Sequence, residues 1–261
     1  MKALGIAATG MQAQQTNVDV ISNNIANANT TGYKAGRAAF QDLIYESQER
    51  EGALTSQDGS ARPVGVDIGL GVQSTGVVRL NTQGGLTATA ADLDLAIDGK
   101  GLFVVNRPDG SVAYTRDGSF QLSPEGQLVT FDGYELDPGI TVPQGTQKLE
   151  ISPDGLVMAY FDSDPAPVEL GQITMARFLN EPGLRPIGNN LFVETAASGA
   201  VETGTPGAEG MGILRQGYLE TSNVNIIEQI TRLITAQRAY EMNSKSIQTA
   251  DQMMQTANQL K

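Results

Sequence analysis

The chain has no histidine, no cysteine and no tryptophan. Without imidazole or thiol there is no serine–histidine triad, no cysteine nucleophile, no nitrogen- or sulfur-ligated zinc and no disulfide. Only carboxylate chemistry or an oxygen-ligated cation stays open to it. Long apolar runs are also missing, since no stretch approaches the roughly 18 consecutive apolar residues that mark a membrane span. The opening residues Met1-Lys2-Ala3-Leu4-Gly5-Ile6 meet Gln12, Gln14 and Gln15 before a signal-peptide core could form, so export without a cleaved signal is expected. Basic residues are few, 17 against 29 acidic ones. A net charge of −12 is the wrong sign for a nucleic-acid partner.

That charge is unevenly spread. Residues 1–45 carry +1 and residues 220–261 are neutral, whereas residues 46–219 hold 23 acids against 10 bases. The neutral ends also carry the two helical patterns. Leu4, Met11, Val18 and Ile25 recur at intervals of seven, with Ala7, Ala8 and Ile21 beside them. Ile226, Leu233, Tyr240, Ile247 and Met254 repeat the interval, flanked by Ile230, Ala236, Ala250 and Ala257. A sustained seven-residue repeat is a seam for helix against helix. Each seam is too narrow for a lone helix, so the termini are expected to meet each other or their counterparts in other copies. Tyr240 suits a large interface anchor. Met11, Met242, Met253 and Met254, in or beside the seams, read as packing residues.

Between the helices the chain reads as short strands and tight turns. Leu93, Leu95 and Ile97 alternate with Asp92, Asp94 and Asp98, which predicts a half-buried strand with one acidic, solvated face. Pro108-Asp109-Gly110, Pro124-Glu125-Gly126 and Pro153-Asp154-Gly155 are turns in which proline presets one corner and glycine tolerates the positive φ of the other. Asp117-Gly118 and Asp132-Gly133 add two more. Turns this close leave no room for crossover helices, so the expectation is an antiparallel all-β body. Gly99-Lys100-Gly101 follows a strand but leads into Leu102-Phe103-Val104-Val105, another strand, so it reads as a hairpin turn rather than a dinucleotide loop, and no cofactor is expected. Glu46 to Pro63 is polar and aperiodic, a loop or linker by composition, and Ala196 to Gly212 reads as a return connection. Asn17, Asn23, Asn24, Asn27 and Asn29 crowd the first helix and its exit despite poor helix propensity. Their amides either bridge neighbouring helices and fix register or form a polar outer face with a fraying end.

Four segments carry a resemblance. Ser22-Asn23-Asn24-Ile25-Ala26-Asn27-Ala28-Asn29-Thr30-Thr31-Gly32-Tyr33-Lys34 resembles the N-terminal signature of bacterial flagellar rod and hook proteins. Glu220-Thr221-Ser222-Asn223-Val224-Asn225, with the run on to Gln237-Arg238-Ala239-Tyr240-Glu241-Met242-Asn243-Ser244-Lys245, resembles the paired C-terminal one. Ile97-Asp98-Gly99-Lys100-Gly101-Leu102-Phe103 and Tyr114-Thr115-Arg116-Asp117-Gly118-Ser119-Phe120 are similar to β motifs of the same family, with Leu102 standing where relatives commonly carry an aromatic. The order is the family's, and nearly the whole chain is covered. Length and the polar stretch at 46–63 are most like its distal-rod members; proximal-rod and hook-type members are the alternatives.

The resemblance implies an α+β fold, with long N- and C-terminal helices pairing as a coiled coil around an all-β antiparallel body. Residues 1–33 and 220–261 would line a tube, residues 34–75 would connect, with 46–63 as the rod-type stretch that stiffens it, and 76–219 would form the outer body. Leu4, Met11, Val18, Ile25, Asn23, Asn24, Asn27, Ile226, Ile230, Leu233, Tyr240, Ile247 and Met254 would make subunit contacts. It implies a non-enzymatic drive shaft that transmits torque from motor to hook. The implied partners are further copies of the chain, proximal rod proteins, hook protein, surrounding ring proteins and the flagellar export apparatus, in the periplasmic part of the basal body, without membrane insertion. On the residues alone, an oligomeric periplasmic stalk or adhesin, or a carbohydrate-active β-protein, has the same pattern of helical ends and β centre.

Overall fold

The computed structural model describes residues 2–49, 64–161, 164–208 and 210–259. They form two compact units. The first comprises Met1–Ala26, Gly36–Val78 and Asn225–Lys261. It holds two helices, α1 (Lys2–Ala26) and α2 (Ile226–Gln259), which pack against each other. α2 is capped at its start. The side chain of Asn225 accepts hydrogen bonds from the backbone N–H groups of Ile227 and Glu228 at 3.1 and 3.3 Å, satisfying two orphan donors of the first turn. Glu228 then pairs with Arg232 one turn on, at 2.6 Å. Two small ribbons complete this unit: Gly36–Asp42 with Val72–Arg79, and Tyr45–Glu49 with Val66–Gly69. Glu46 to Glu49 were expected in a loop; they are strand because Asp67, Ile68 and their neighbours supply the ladder partner that composition could not reveal. The rest of that polar stretch, 50–63, lies outside the described residues.

The second unit, Asn27–Ala35 with Arg79–Val224, is antiparallel β throughout its described pairings. Its centre is the strand Leu102–Asn106, which pairs with Val112–Thr115 on one side and with Glu135–Leu136 and Met175–Arg177 on the other. Phe103 and Val105 face one apolar cluster, where Phe103 meets Phe120 edge-on at 5.1 Å. Val104 faces another, with Tyr114 edge-on to Phe178 at 4.8 Å. Being buried on both faces explains why the strand reads as an unbroken apolar run. Leu102, where an aromatic was the expected family choice, packs on the edge of the second cluster.

The proline–glycine turns fall where expected. Arg107 and Ser111 close the first, with Gly110 at φ +77°; Gly126 and Gly155 take the same left-handed conformation at φ +84° and +82° in the other two. Asp132-Gly133 turns between Leu128–Val129 and Glu135–Leu136 in the same way. Asp117-Gly118 is different in kind. Gly118 has no left-handed φ, but a Cβ there would lie 1.6 Å from the carbonyl oxygen of Leu95, so glycine is needed for close backbone approach. Three expectations change. Gly99-Lys100-Gly101 is a corner and not a hairpin, because Leu95–Asp98 pairs with Ile213–Gln216 while Leu102–Asn106 belongs to the main sheet. Ala96 is buried together with Leu95 and Ile97, so that strand has no solvated face, and Asp98 is drawn into an ion pair with Arg215 at 2.7 Å. The stretch from Ala196 to Gly212 contains a strand, Glu202–Gly204, laid against Met175–Arg177.

Candidate assembly site

Within the first unit the two helices meet along an unexpected line. The buried residues of α1 are Ala7, Ala13, Ile21 and Asn24; those of α2 are Gln229 and Ala236, continued by half-buried Asn243 and Ala250. Gln229, Ala236, Asn243 and Ala250 are themselves spaced by seven, so the inward stripe is made of small and amide side chains. The approach is close. A Cβ on Gly10 would lie 2.8 Å from the side-chain amide of Asn243. Leu4, Met11, Val18 and Ile25 flank this line half-buried, as do Leu233, Ile247 and Met254. Ile226, Ile230 and Tyr240, expected in the seam, remain 44–45% exposed, and Ile227 and Ile234 join them. Met242 and Met253, read as packing residues, are more than 60% exposed. The physical reason is steric: helices this close admit alanine, glycine and amides between them and turn the large apolar residues away.

Asn24 is the polar hub of this unit. At 1% exposure it donates to the Gly36 carbonyl and accepts from the Gly36 N–H, both at 2.8 Å, and donates to Gln229 Oε1 at 3.3 Å. A single amide thus mimics a strand partner for Gly36 and ties α1 to α2. Asn23 is exposed, and Asn27 accepts from Thr30 in the turn after the helix. Of the two readings of the asparagines, bridging between helices fits Asn24. Asn24→Ala strips partners from both backbone groups of Gly36, each worth about 1–3 kcal/mol when left unpaired. The expected loss is about 2 kcal/mol with faster amide exchange at Gly36; unchanged protection of that amide would show the side chain to be dispensable.

Within the second unit, a buried carboxylate draws three distant segments together. Glu220, 1% exposed, accepts from Arg116 Nε at 2.5 Å, Lys34 Nζ at 2.5 Å and the Gly84 N–H at 2.8 Å. The rest of the Arg116 guanidinium caps the Gly99–Gly101 corner, donating to the carbonyls of Ile97, Gly99 and Gly101. Burial alone would push the Glu220 carboxyl up; Arg116, Lys34 and the Gly84 N–H outweigh it and hold the group below the ordinary range. For Lys34 burial wins over Glu220, and its ammonium falls below the usual lysine value. Arg116 is therefore the principal partner. Gly32 supports the arrangement: its N–H donates to the Glu220 carbonyl at 2.8 Å, its φ is +67°, and a Cβ would strike the Arg116–Asp117 peptide at 2.9 Å. Beside it, Asn223 accepts from the Ala35 N–H and donates to the carbonyls of Leu80 and Thr82. None of these partners was foreseen from sequence. The one available signal was that Lys34, Arg116 and Glu220 each lie in a signature segment.

Among the described residues no three acidic side chains converge as a cation site would require. The arrangement fastens chain ends and leaves apolar surface uncovered, as structural subunits do. Comparison with known proteins agrees. Three family models match: "Flagella basal body rod protein" over residues 4–34, "Flagellar hook protein FlgE/F/G D1 domain" over 96–159 and "Flagellar basal body rod FlgEFG protein C-terminal" over 215–260. These define the class, a flagellar axial structural protein. The flagellar basal-body rod protein FlgG of Caulobacter vibrioides is 55% identical over all of both chains, and that of Agrobacterium fabrum 50% identical over 97% of each. FlgG of Bacillus subtilis is 38% identical over the whole of this chain and 99% of its own. The chain belongs to the flagellar basal-body rod family, in its distal-rod branch, and is a structural subunit of the flagellum's basal body.

Proposed function

We propose that the chain polymerises, through its terminal helices acting as a coiled coil, into a rigid hollow tube that carries torque from motor to hook. The observation that supports this best is the outward face of α2. Ile226, Ile227, Ile230 and Ile234 stand exposed within three turns of one helix, with Tyr240 beyond them. Contiguous apolar patches of this kind mark association surfaces, and other copies of the same helix pair are the natural cover. In this reading residues 1–33 and 220–261 line the tube, 34–75 connect, and the acidic 76–219 body faces outward. The helical contacts use Leu4, Met11, Val18 and Ile25 with Leu233, Ile247 and Met254, besides the exposed isoleucines. Proximal rod proteins, hook protein and ring proteins are its neighbours in the periplasm, and the flagellar export apparatus delivers it.

No helix among the described residues is long and apolar enough to cross a membrane. Electron microscopy of the concentrated full-length chain tests the assembly directly. Helical tubes are expected; a discrete trimer would overturn the rod reading in favour of a stalk. Deleting residues 46–63 should leave tubes that form but curve, because that stretch wedges neighbouring subunits in this reading. Straight tubes from the deletion would reduce the stretch to a passive linker.

A further inference from the structure

On a chain of net charge −12, one small pocket of the body is cationic. Its walls carry Lys34, Arg79, Lys100 and Arg116 around a cavity of about 50 Å³, with Glu181 the one acid among them. Glu220 engages Lys34 and Arg116. Arg79 and Lys100 have no such neighbour: among the described residues neither side chain makes a hydrogen bond or ion pair, although the Lys100 carbonyl accepts from the Gly212 N–H. Arg79 instead lies over the ring of Phe192, 4.4 Å from its centroid, half-buried and with its charge penalised by that burial. Counting Glu181 and Glu220 against the four cations leaves two positive charges uncompensated at one spot. A cation held over an aromatic face by its π-system keeps N–H donors for an incoming acceptor.

We propose that this pocket receives a carboxylate from a second copy of the chain, presented on an acidic turn of its body. The body is built to offer one. Asp109, Glu125, Asp132 and Asp154 all stand exposed at tight glycine turns. Such a tip is narrow enough for a cavity of this size, and guanidinium and ammonium groups together suit a single carboxylate. The contact deepens the assembly reading and rests on it. It places an ionic, salt-sensitive link between bodies beside the apolar link between helices.

The test uses the full-length chain and lysine acetylation read by mass spectrometry. Lys100 should react several-fold more slowly in tubes than in the dilute chain, while Lys148, 63% exposed beside Glu150, should not change. Replacing Arg79→Gln and Lys100→Gln together should raise the concentration needed for assembly about tenfold and flatten its dependence on sodium chloride. The dilute variant should melt like the parent. Tubes in which Lys100 stays fully reactive, or a double variant that assembles like the parent, overturn the proposal while leaving the assembly reading intact. So does protection of Lys100 by excess citrate in the dilute chain without protection in tubes, since the pocket would then serve free carboxylates. If the parent forms no tubes, the assembly reading itself falls and this contact with it.

Discussion

Glu220→Gln should destabilise the body by about 3–5 kcal/mol, the usual cost of removing one partner from a buried ion pair. Glutamine keeps the shape and one acceptor but leaves Arg116 and Lys34 charged, with side chains only 6% and 10% exposed. For a body of this size that loss lowers the melting temperature by roughly 6–20 °C. Glu202→Gln is the control, because its pair with Arg177 is exposed and worth at most about 1 kcal/mol. The pH dependence gives a second readout. The folded Glu220 carboxyl lies below its ordinary value, so its contribution is complete above the unfolded value of about 4.3 and drains away as pH falls through the lower folded one. Melts from neutral to acid pH should therefore converge for parent and variant at the acid end. Equal melting at neutral pH would show that the carboxylate does not hold the segments together.

That network also shows where reading a sequence runs out. Arg116 and Lys34 lie 104 and 186 positions from Glu220, and no local pattern announces such a meeting. Features set by neighbouring residues were legible: the three proline–glycine turns, the antiparallel body and the apolar central strand. Features set by a distant partner were not. Gly99-Lys100-Gly101 has the composition of a hairpin turn, yet its flanking strands join different sheets. Glu46 to Glu49 look like linker until their partner strand is known.

The helices make the same point more sharply. α2 carries two superposed seven-residue series, one of large apolar residues from Ile226 and one of small and amide residues from Gln229. Hydrophobicity favours the first as the seam between α1 and α2. Close packing selected the second, with Gly10 against Asn243 at the contact. Asn24 was visible as an oddity of propensity, but its role depends on Gly36 and Gln229, which only the fold brings to it. The misfit between the two series leaves a helix with one satisfied face and one uncovered face.

Leu233→Asp and Ile247→Asp should each abolish tube formation while leaving the β body folded. Both residues are half-buried on α2, and both are apolar positions at which the assembly reading closes further helices. A carboxylate enclosed there costs several kcal/mol unless it escapes to water or takes a proton. About 3 kcal/mol per subunit already raises the concentration required for assembly more than a hundredfold. The body should keep its melting temperature, because its two apolar clusters contain no residue of α2. Ile227→Asp separates the two helical faces. At 79% exposure it adds a charge without disturbing the α1–α2 line, so it should block assembly and leave the dilute chain's helix content unchanged, whereas Leu233→Asp lowers both. Circular dichroism of the dilute chain and electron microscopy of the concentrated one read the two effects separately. Normal tubes from Ile227→Asp would show that the isoleucine face is not a subunit contact, and normal tubes from Leu233→Asp or Ile247→Asp would remove the helices from the assembly altogether.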